Sequence, residues 1–329
     1  MGRSVSRELA RPCLPISGSP GMGILTSGTP LRSLAAVLLL ASVACVGKDA
    51  RHETWDARPA SLAPRLVVDD AGDTVRLAHP ATRVVSLIPA TTELLFAIGA
   101  GPLVVGRTVW CDYPPAARVV PVVGDGIMPN IERVLAQHPD LVVLYRSGQN
   151  AQAVAQLRKL GVTAMQVRTD RLSDVPRVAR LLGQLTGRSR SADSLSTAFT
   201  DSLAAATQSA RAHPVRAFLL VWPDPPMTVG RGSYLTELLT RAGGENVYED
   251  LPASSGQISV ESAVDRNPDV VLVLGDSAPA FARRPEWQTV PAVRLRRFVY
   301  ARGSQFAQPS PRSPAAIREL TALLRQVPR

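Results

Sequence analysis

Two glutamates stand at matching places in this chain. Glu132 opens IERVLAQHPDLVVLY after its first Ile, and Glu261 opens ESAVDRNPDVVLVLG. In each stretch Pro follows seven residues later (Pro139, Pro268), then Asp, then an apolar run. Each Glu falls in the first turn of a predicted helix. A carboxylate there complements the helix dipole. Four aromatic side chains fall at the ends of predicted strands or in the loops after them: Trp110, Tyr145, Trp222 and Phe306. Only 5% of the residues are aromatic, so rings at such places carry more weight than usual. In α/β sheets ligands meet the carboxyl ends of the strands, and flat rings suit stacking against a planar, apolar ligand. Each ring also has an ordinary reading as loop or core packing.

Other chemistry finds little support. His52, His79, His138 and His213 lie in unrelated segments and make no metal-ligand spacing. There is no G-x-S-x-G elbow, P-loop or G-x-G-x-x-G after a strand, and GRGSYL (230–235) lacks the P-loop Lys-Ser/Thr. No catalytic residue, metal site or cofactor is therefore assigned. An enzyme on a duplicated α/β scaffold stays open as an alternative, with Trp110 and Arg231 lining its cleft and Cys111 or Asp112 as nucleophile or base. A surface adhesin or scaffold is a third class, which would need no concave cleft.

The elements that carry these residues are readable as alternating units. Val84–Ile88, Leu141–Leu144, Ala217–Val221 and Val270–Leu274 are apolar runs without polar alternation. Such runs suit parallel strands covered on both faces, and their alternation with helical patterns implies βαβ units. A second matched pair supports duplication. Thr92-Glu93-Leu94-Leu95 follows the first strand and stops at Gly99; Thr236-Glu237-Leu238-Leu239 follows the third and stops at Gly243. Two ordered pairs with the same internal spacing predict two similar α/β lobes. Between them Leu181, Leu182, Leu185, Leu195, Phe199 and Leu203 recur at near-helical spacing, with Asp174 and Asp193 as caps. They predict one long helix joining the lobes, interrupted at most near Gly183 and Gly187.

The start of the chain reads as an export signal. Leu34–Ala44 is an apolar run of 11 residues behind Arg32, ending in small residues before Cys45. It is too short to span a bilayer, which takes about 20 residues. Ser42-Val43-Ala44-Cys45 resembles a lipobox, with Cys45 acylated as the first mature residue, although Ser42 stands where Leu is usual. Met22 offers an alternative start to Met1. The expected organisation is a signal peptide (1–44), a flexible tether (45–64), an N-terminal α/β lobe (65–172), a connecting helix (173–212) and a C-terminal α/β lobe (213–329). Removal of the leader and acylation of Cys45 leave Cys111 as the remaining cysteine, a small buried hydrophobe by expectation. The formal net charge of +10 is carried by arginines scattered among acids and alanines, with Lys48 and Lys159 the only lysines. Scattering of this kind argues against a nucleic-acid footprint.

The motifs RVVSLIPATTELLFAIGA, CDYPP (111–115), NIERVLAQHPDLVVL, GGENVY (243–248) and SPR (310–312), with VVDDAGDTVRLAHPATRVVSL as a leading hairpin, carry a family resemblance. Over nearly all of its mature length the chain resembles the helical-backbone (class III) substrate-binding proteins of cobalamin, haem and iron–siderophore ABC importers, nearest the cobalamin branch. That resemblance implies an extracytoplasmic, monomeric binder with its ligand between two Rossmann-like lobes. It implies a corrinoid first, an iron–siderophore or haem second, and an ABC permease with its ATPase as partners. It implies that Glu132 and Glu261 dock into arginine pockets of the permease, and that Trp110, Tyr145, Trp222 and Phe306 wall the ligand. The chain departs from the cobalamin pattern where Gly126, Ser255 and Gln305 replace or stand near tryptophans. Arg231 and Arg302 could meet acidic groups of a ligand, or be ordinary surface arginines.

Overall fold

The computed structural model describes residues 64–126, 129–207, 213–252 and 255–328. The expected leader, Cys45 and all but the last residue of the tether lie outside the described residues. Among the described residues no helix is long and apolar enough to cross a membrane.

The first lobe opens with an antiparallel hairpin, β1 (Arg65–Val68) and β2 (Thr74–Leu77). It continues with β3 (Val84–Ser86), α1 (Pro89–Ala97), β4 (Val104–Thr108), β5 (Val122–Gly124), α2 (Ile131–Leu135), β6 (Leu141–Tyr145), α3 (Gly148–Lys159) and β7 (Thr163–Val167). The last five strands form a parallel sheet in the order β5-β4-β3-β6-β7. Val84, Val85 and Leu141–Leu144 are fully buried, as an apolar run covered on both faces requires.

Two helices follow, α4 (Asp174–Thr186) and α5 (Ser189–Thr207). The expected helix over 173–212 is thus interrupted, at one of the two glycines where interruption was allowed, and it does not keep one direction. Gly187 takes a left-handed conformation (φ 71°) and ends α4, and the amide of Arg188 donates back to the Gly183 carbonyl. The chain then folds back on itself. Ser196 Oγ donates to the Pro176 carbonyl at 3.2 Å, and Arg180 meets Asp193 at 3.3 Å. A Cβ at Gly183 would lie 2.5 Å from that of Ala192, so the glycine is what lets the helices touch. The connector is thus an antiparallel hairpin. Its first arm packs on α1 and β1, and its second packs on a helix of the other lobe.

The second lobe comprises β8 (Val215–Leu220), β9 (Trp222–Pro223), β10 (Pro226–Val229), α6 (Tyr234–Arg241), β11 (Gly244–Asn246), β12 (Ser255–Gln257), α7 (Val260–Arg266), β13 (Val270–Leu274), α8 (Pro291–Arg294), β14 (Phe298–Ala301) and α9 (Ser313–Arg325). Strands β11-β8-β13-β14 form a parallel sheet, and β12-β10-β9 a small antiparallel one. The helix receiving α5 is α9.

The order β4-β3-β6-β7 in one lobe matches β11-β8-β13-β14 in the other. The repeated Pro-Asp has a structural cause. The turn that closes α2 runs to His138 (φ 45°) and α7 ends at Asn267 (φ 41°), both left-handed, and Pro then bars continuation. Asp140 accepts the amides of Thr82 (2.7 Å) and Arg83 (3.1 Å), just before and at the entry to β3. Asp269 accepts the amide of Arg216 in β8 at 2.8 Å. The guanidinium of Arg83 donates back to the Gln137 carbonyl in the turn after α2, and that of Arg216 to the Arg266 and Asn267 carbonyls at the end of α7. Each motif therefore ties the foot of a helix to the foot of the neighbouring strand, twice over.

Candidate functional site

The lobes meet through loops at the carboxyl ends of their strands. Arg312, ahead of α9, reaches Glu93 of α1 with Nε at 2.9 Å and Nη2 at 2.5 Å. Only 3% of the Glu93 side chain and 21% of the Arg312 side chain are exposed. Gln308 donates to the same carboxylate at 3.2 Å. The guanidinium also lies 3.9 Å from the ring centroid of Tyr113 and donates to Gln305 Oε1 at 2.9 Å. Burial opposes the Arg312 charge, but the hydrogen bonds and field of Glu93 outweigh it and raise the pKa. On the other side of the boundary the Leu172 amide, ahead of α4, donates to Glu237 of α6 at 3.0 Å. Glu93 and Glu237 are the two glutamates of the repeated Thr-Glu-Leu-Leu. The repeat was visible in sequence, and it is the signal that could have singled out these residues.

The four expected ring positions divide. Trp110, in the loop after β4, is 64% exposed, and Trp222, beginning β9, is 58% exposed. Trp222 is oriented by its own turn, its indole N–H donating to the Asp224 carbonyl at 2.9 Å. Tyr145 ends β6 half-buried and donates its hydroxyl to Asp170 at 2.6 Å. Burial, then the Asp170 hydrogen bond, pushes its pKa up to about 12. Only part of its ring remains to meet a ligand. Phe306 is a correction: it is fully buried in the main core cluster and presents no face to a ligand. The exposed ring that sequence reading passed over is Tyr113, 41% accessible within CDYPP and held beneath Arg312. Cys111 beside it is buried and contacted by the hydroxyls of Thr92 and Thr108 at 3.1 Å, closed off from any substrate.

The departures from the cobalamin pattern also have structure. Gly126 is left-handed (φ 90°), and a Cβ there would come 2.8 Å from the Leu87 carbonyl oxygen, so no larger residue fits this turn unchanged. Gln305 joins the polar network around Arg312 instead of offering a ring. Ser255 lies exposed in β12, paired with Val229.

Glu132 and Glu261 are both exposed in the first turns of α2 and α7. Asn130 and Ser259 cap those turns by accepting the amides of Arg133 (2.9 Å) and Ser262 (3.3 Å). The feet of both helices are tied to the starts of strands, so the first turns that carry the glutamates lie on the side of the strands' carboxyl ends. The Glu261 carboxyl is held below the usual glutamate range by its own backbone amide and by the Ser259 hydroxyl.

Residues 84–304 match the family of periplasmic binding proteins. The chain belongs to that family. This binding protein is 32% identical over 253 residues to the vitamin B12-binding protein of Salmonella typhimurium, covering 76% of this chain and 92% of that one. It is 29% identical over 297 residues to an uncharacterized ABC transporter substrate-binding lipoprotein of Bacillus subtilis, covering 87% and 94%. Among solved structures it resembles a periplasmic haem-binding protein of Roseiflexus sp. RS-1 in apo form, with a TM-score of 0.68, 26% identity, and 74% and 98% of the two chains covered.

Proposed function

We propose that this periplasmic binding protein captures cobalamin or a related corrinoid between its lobes and hands it to an ABC permease driven by its ATPase. The observation that carries the reading is the placement of Trp110 and Trp222, exposed on different lobes at the strand ends where the lobes meet. Two rings so placed can bury the faces of a large flat ligand. The likeness to a vitamin B12-binding protein supports the corrinoid. Glu132 and Glu261 serve as two carboxylate pegs, one per lobe, for arginines of the permease. The protein acts as a binder, not an enzyme, and as a monomer. Cys45 carries a lipid that holds it at the membrane, a reading supported by the lipoprotein relative.

The test is a titration of the mature protein with cyanocobalamin, haemin and ferric siderophores, followed by tryptophan fluorescence. Cyanocobalamin is expected to quench saturably, and Trp110→Ala or Trp222→Ala to weaken binding by about tenfold, the loss of one stacked ring. Absence of quenching by every ligand would reject the reading.

Haem is the second reading, favoured by Tyr113, an exposed phenol beside Arg312 that could ligate iron. A Soret shift with haemin that disappears in Tyr113→Phe would select it over the corrinoid.

A further inference from the structure

The lobes treat their outer sheet edges differently. In the first lobe the edge strand β7 is covered by the turn of the β1–β2 hairpin. The amide of Gln166 donates to Asp69 Oδ2 at 2.9 Å, and the amide of Asp70 donates to the Gln166 carbonyl at 2.9 Å. The amide of Arg168 donates to Asp70 Oδ2. Arg177 pairs with Asp70 at 2.6 Å and Arg158 with Asp73 at 2.7 Å. The cover is thus an acidic turn whose carboxylates cap outward amides and meet arginines on flanking helices.

Among the described residues the second lobe has the same edge without such a cover. Asp140 matches Asp269, so Leu144 matches Val273. Their partners across the ladder are Gln166 and Tyr300. Gln166 therefore corresponds to Tyr300, and Arg168 to Arg302. Val271 donates to the Arg297 carbonyl and Gly275 to the Ala301 carbonyl, so Arg297, Val299 and Ala301 turn their backbone toward β13. Phe298, Tyr300 and Arg302 then turn theirs outward. Among the described residues no strand pairs with that side of β14. Grooves of about 550 and 630 Å³ flank it, both lined by Arg296, Phe298 and Tyr300. Arg296 and Arg302 are exposed, and no ion pair of the described residues involves Arg296, Arg297 or Arg302.

We propose that the outer edge of β14 takes an acidic turn of a partner protein as its cover. Its carboxylates would cap the Tyr300 and Arg302 amides as Asp69 and Asp70 cap Gln166 and Arg168. Pairing with a second copy would set one arginine row against another, which like-charge repulsion opposes.

A labelled synthetic peptide copying residues 65–77 is the probe, with a counterpart in which the three aspartates are lysine. Added to the mature protein, the acidic peptide should bind saturably by fluorescence anisotropy and weaken as salt is raised. It should bind at least about tenfold tighter than the lysine form. Tyr300→Pro removes an outward amide at a sheet edge, where proline is tolerated, and should abolish binding. Arg296→Glu with Arg297→Glu leaves the backbone unchanged and should weaken binding by about tenfold or more. No saturable binding, or binding that survives both variants, would overturn the proposal. So would dimerisation lost in Tyr300→Pro, which assigns the edge to a second copy. Binding that appears only after deletion of residues 46–63 would overturn it in favour of the chain's own tether.

Discussion

Glu93 and Glu237 occupy matching positions in α1 and α6, yet they join the lobes by different means. Glu93 is buried and meets Arg312 across the boundary with two guanidinium nitrogens. Glu237 accepts the single amide of Leu172 and leans on Arg241 one turn along its own helix, at 3.4 Å. Both reach residues just ahead of matching helices, α9 and α4. Duplication kept the place of the contact and let its chemistry diverge. A buried ion pair adds little net stability but is expensive to break, because the surviving partner is left charged and dry. A lone amide contact is closer to an ordinary hydrogen bond. One side of the boundary is therefore a firm anchor, and the other is a lighter catch.

The sharpest test compares the two directly. Glu93→Ala is expected to cost about 3–5 kcal/mol in urea unfolding, and Glu237→Ala about 1 kcal/mol. Equal costs would remove the asymmetry. Replacing Glu93 and Arg312 together with Leu and Met should recover more than half of the first loss, since no charge is then stranded.

The exposed glutamates test whether the lobes are alike where a partner would touch them. Glu132→Ala with Glu261→Ala should lower ligand uptake by about a hundredfold, the loss of two charged contacts, with ligand affinity in solution unchanged. A fall in affinity would contradict docking, and a single variant as severe as the pair would contradict two equal pegs.

A smaller asymmetry lies in the Pro-Asp ties. Asp140 accepts two amides and the Thr82 hydroxyl, whereas one amide of Arg216 donates to Asp269. Asp140→Ala should therefore cost about 2 kcal/mol and Asp269→Ala about 1 kcal/mol by thermal or urea melting.

The smallest effect concerns acid. The folded Glu261 carboxyl lies below its unfolded value, so its ionised form favours the fold above the ordinary glutamate range. That contribution is lost as pH falls through the lowered folded value. Ser259→Ala should move the Glu261 titration upward by NMR, though not wholly, because the first cause, its own amide, remains.

Much of the architecture was legible because its signals are local. Four apolar runs without alternation became central strands, and the spacing from Glu to Pro to Asp became the same tie in both lobes. The exposed placement of Glu132 and Glu261 needed only a cap and a first turn. Tyr145 was legible as the end of a strand, but not its hydroxyl contact with Asp170, 25 positions away. Phe306 could not be placed at all: a ring in a loop reads the same whether it turns into the core or out of it.

The sequence by itself determined that there are two similar α/β halves, where their strands lie, and which acids repeat between them, because periodicity, caps and Pro-Asp stops act within a few residues. Tertiary structure alone decided that the connector doubles back at Gly187, that Glu93 finds Arg312 across 219 positions of chain, and that one sheet edge is covered while, among the described residues, no strand pairs with its counterpart. Those outcomes depend on which surfaces come into contact once the chain has folded, and a contact between distant residues leaves no local pattern to read.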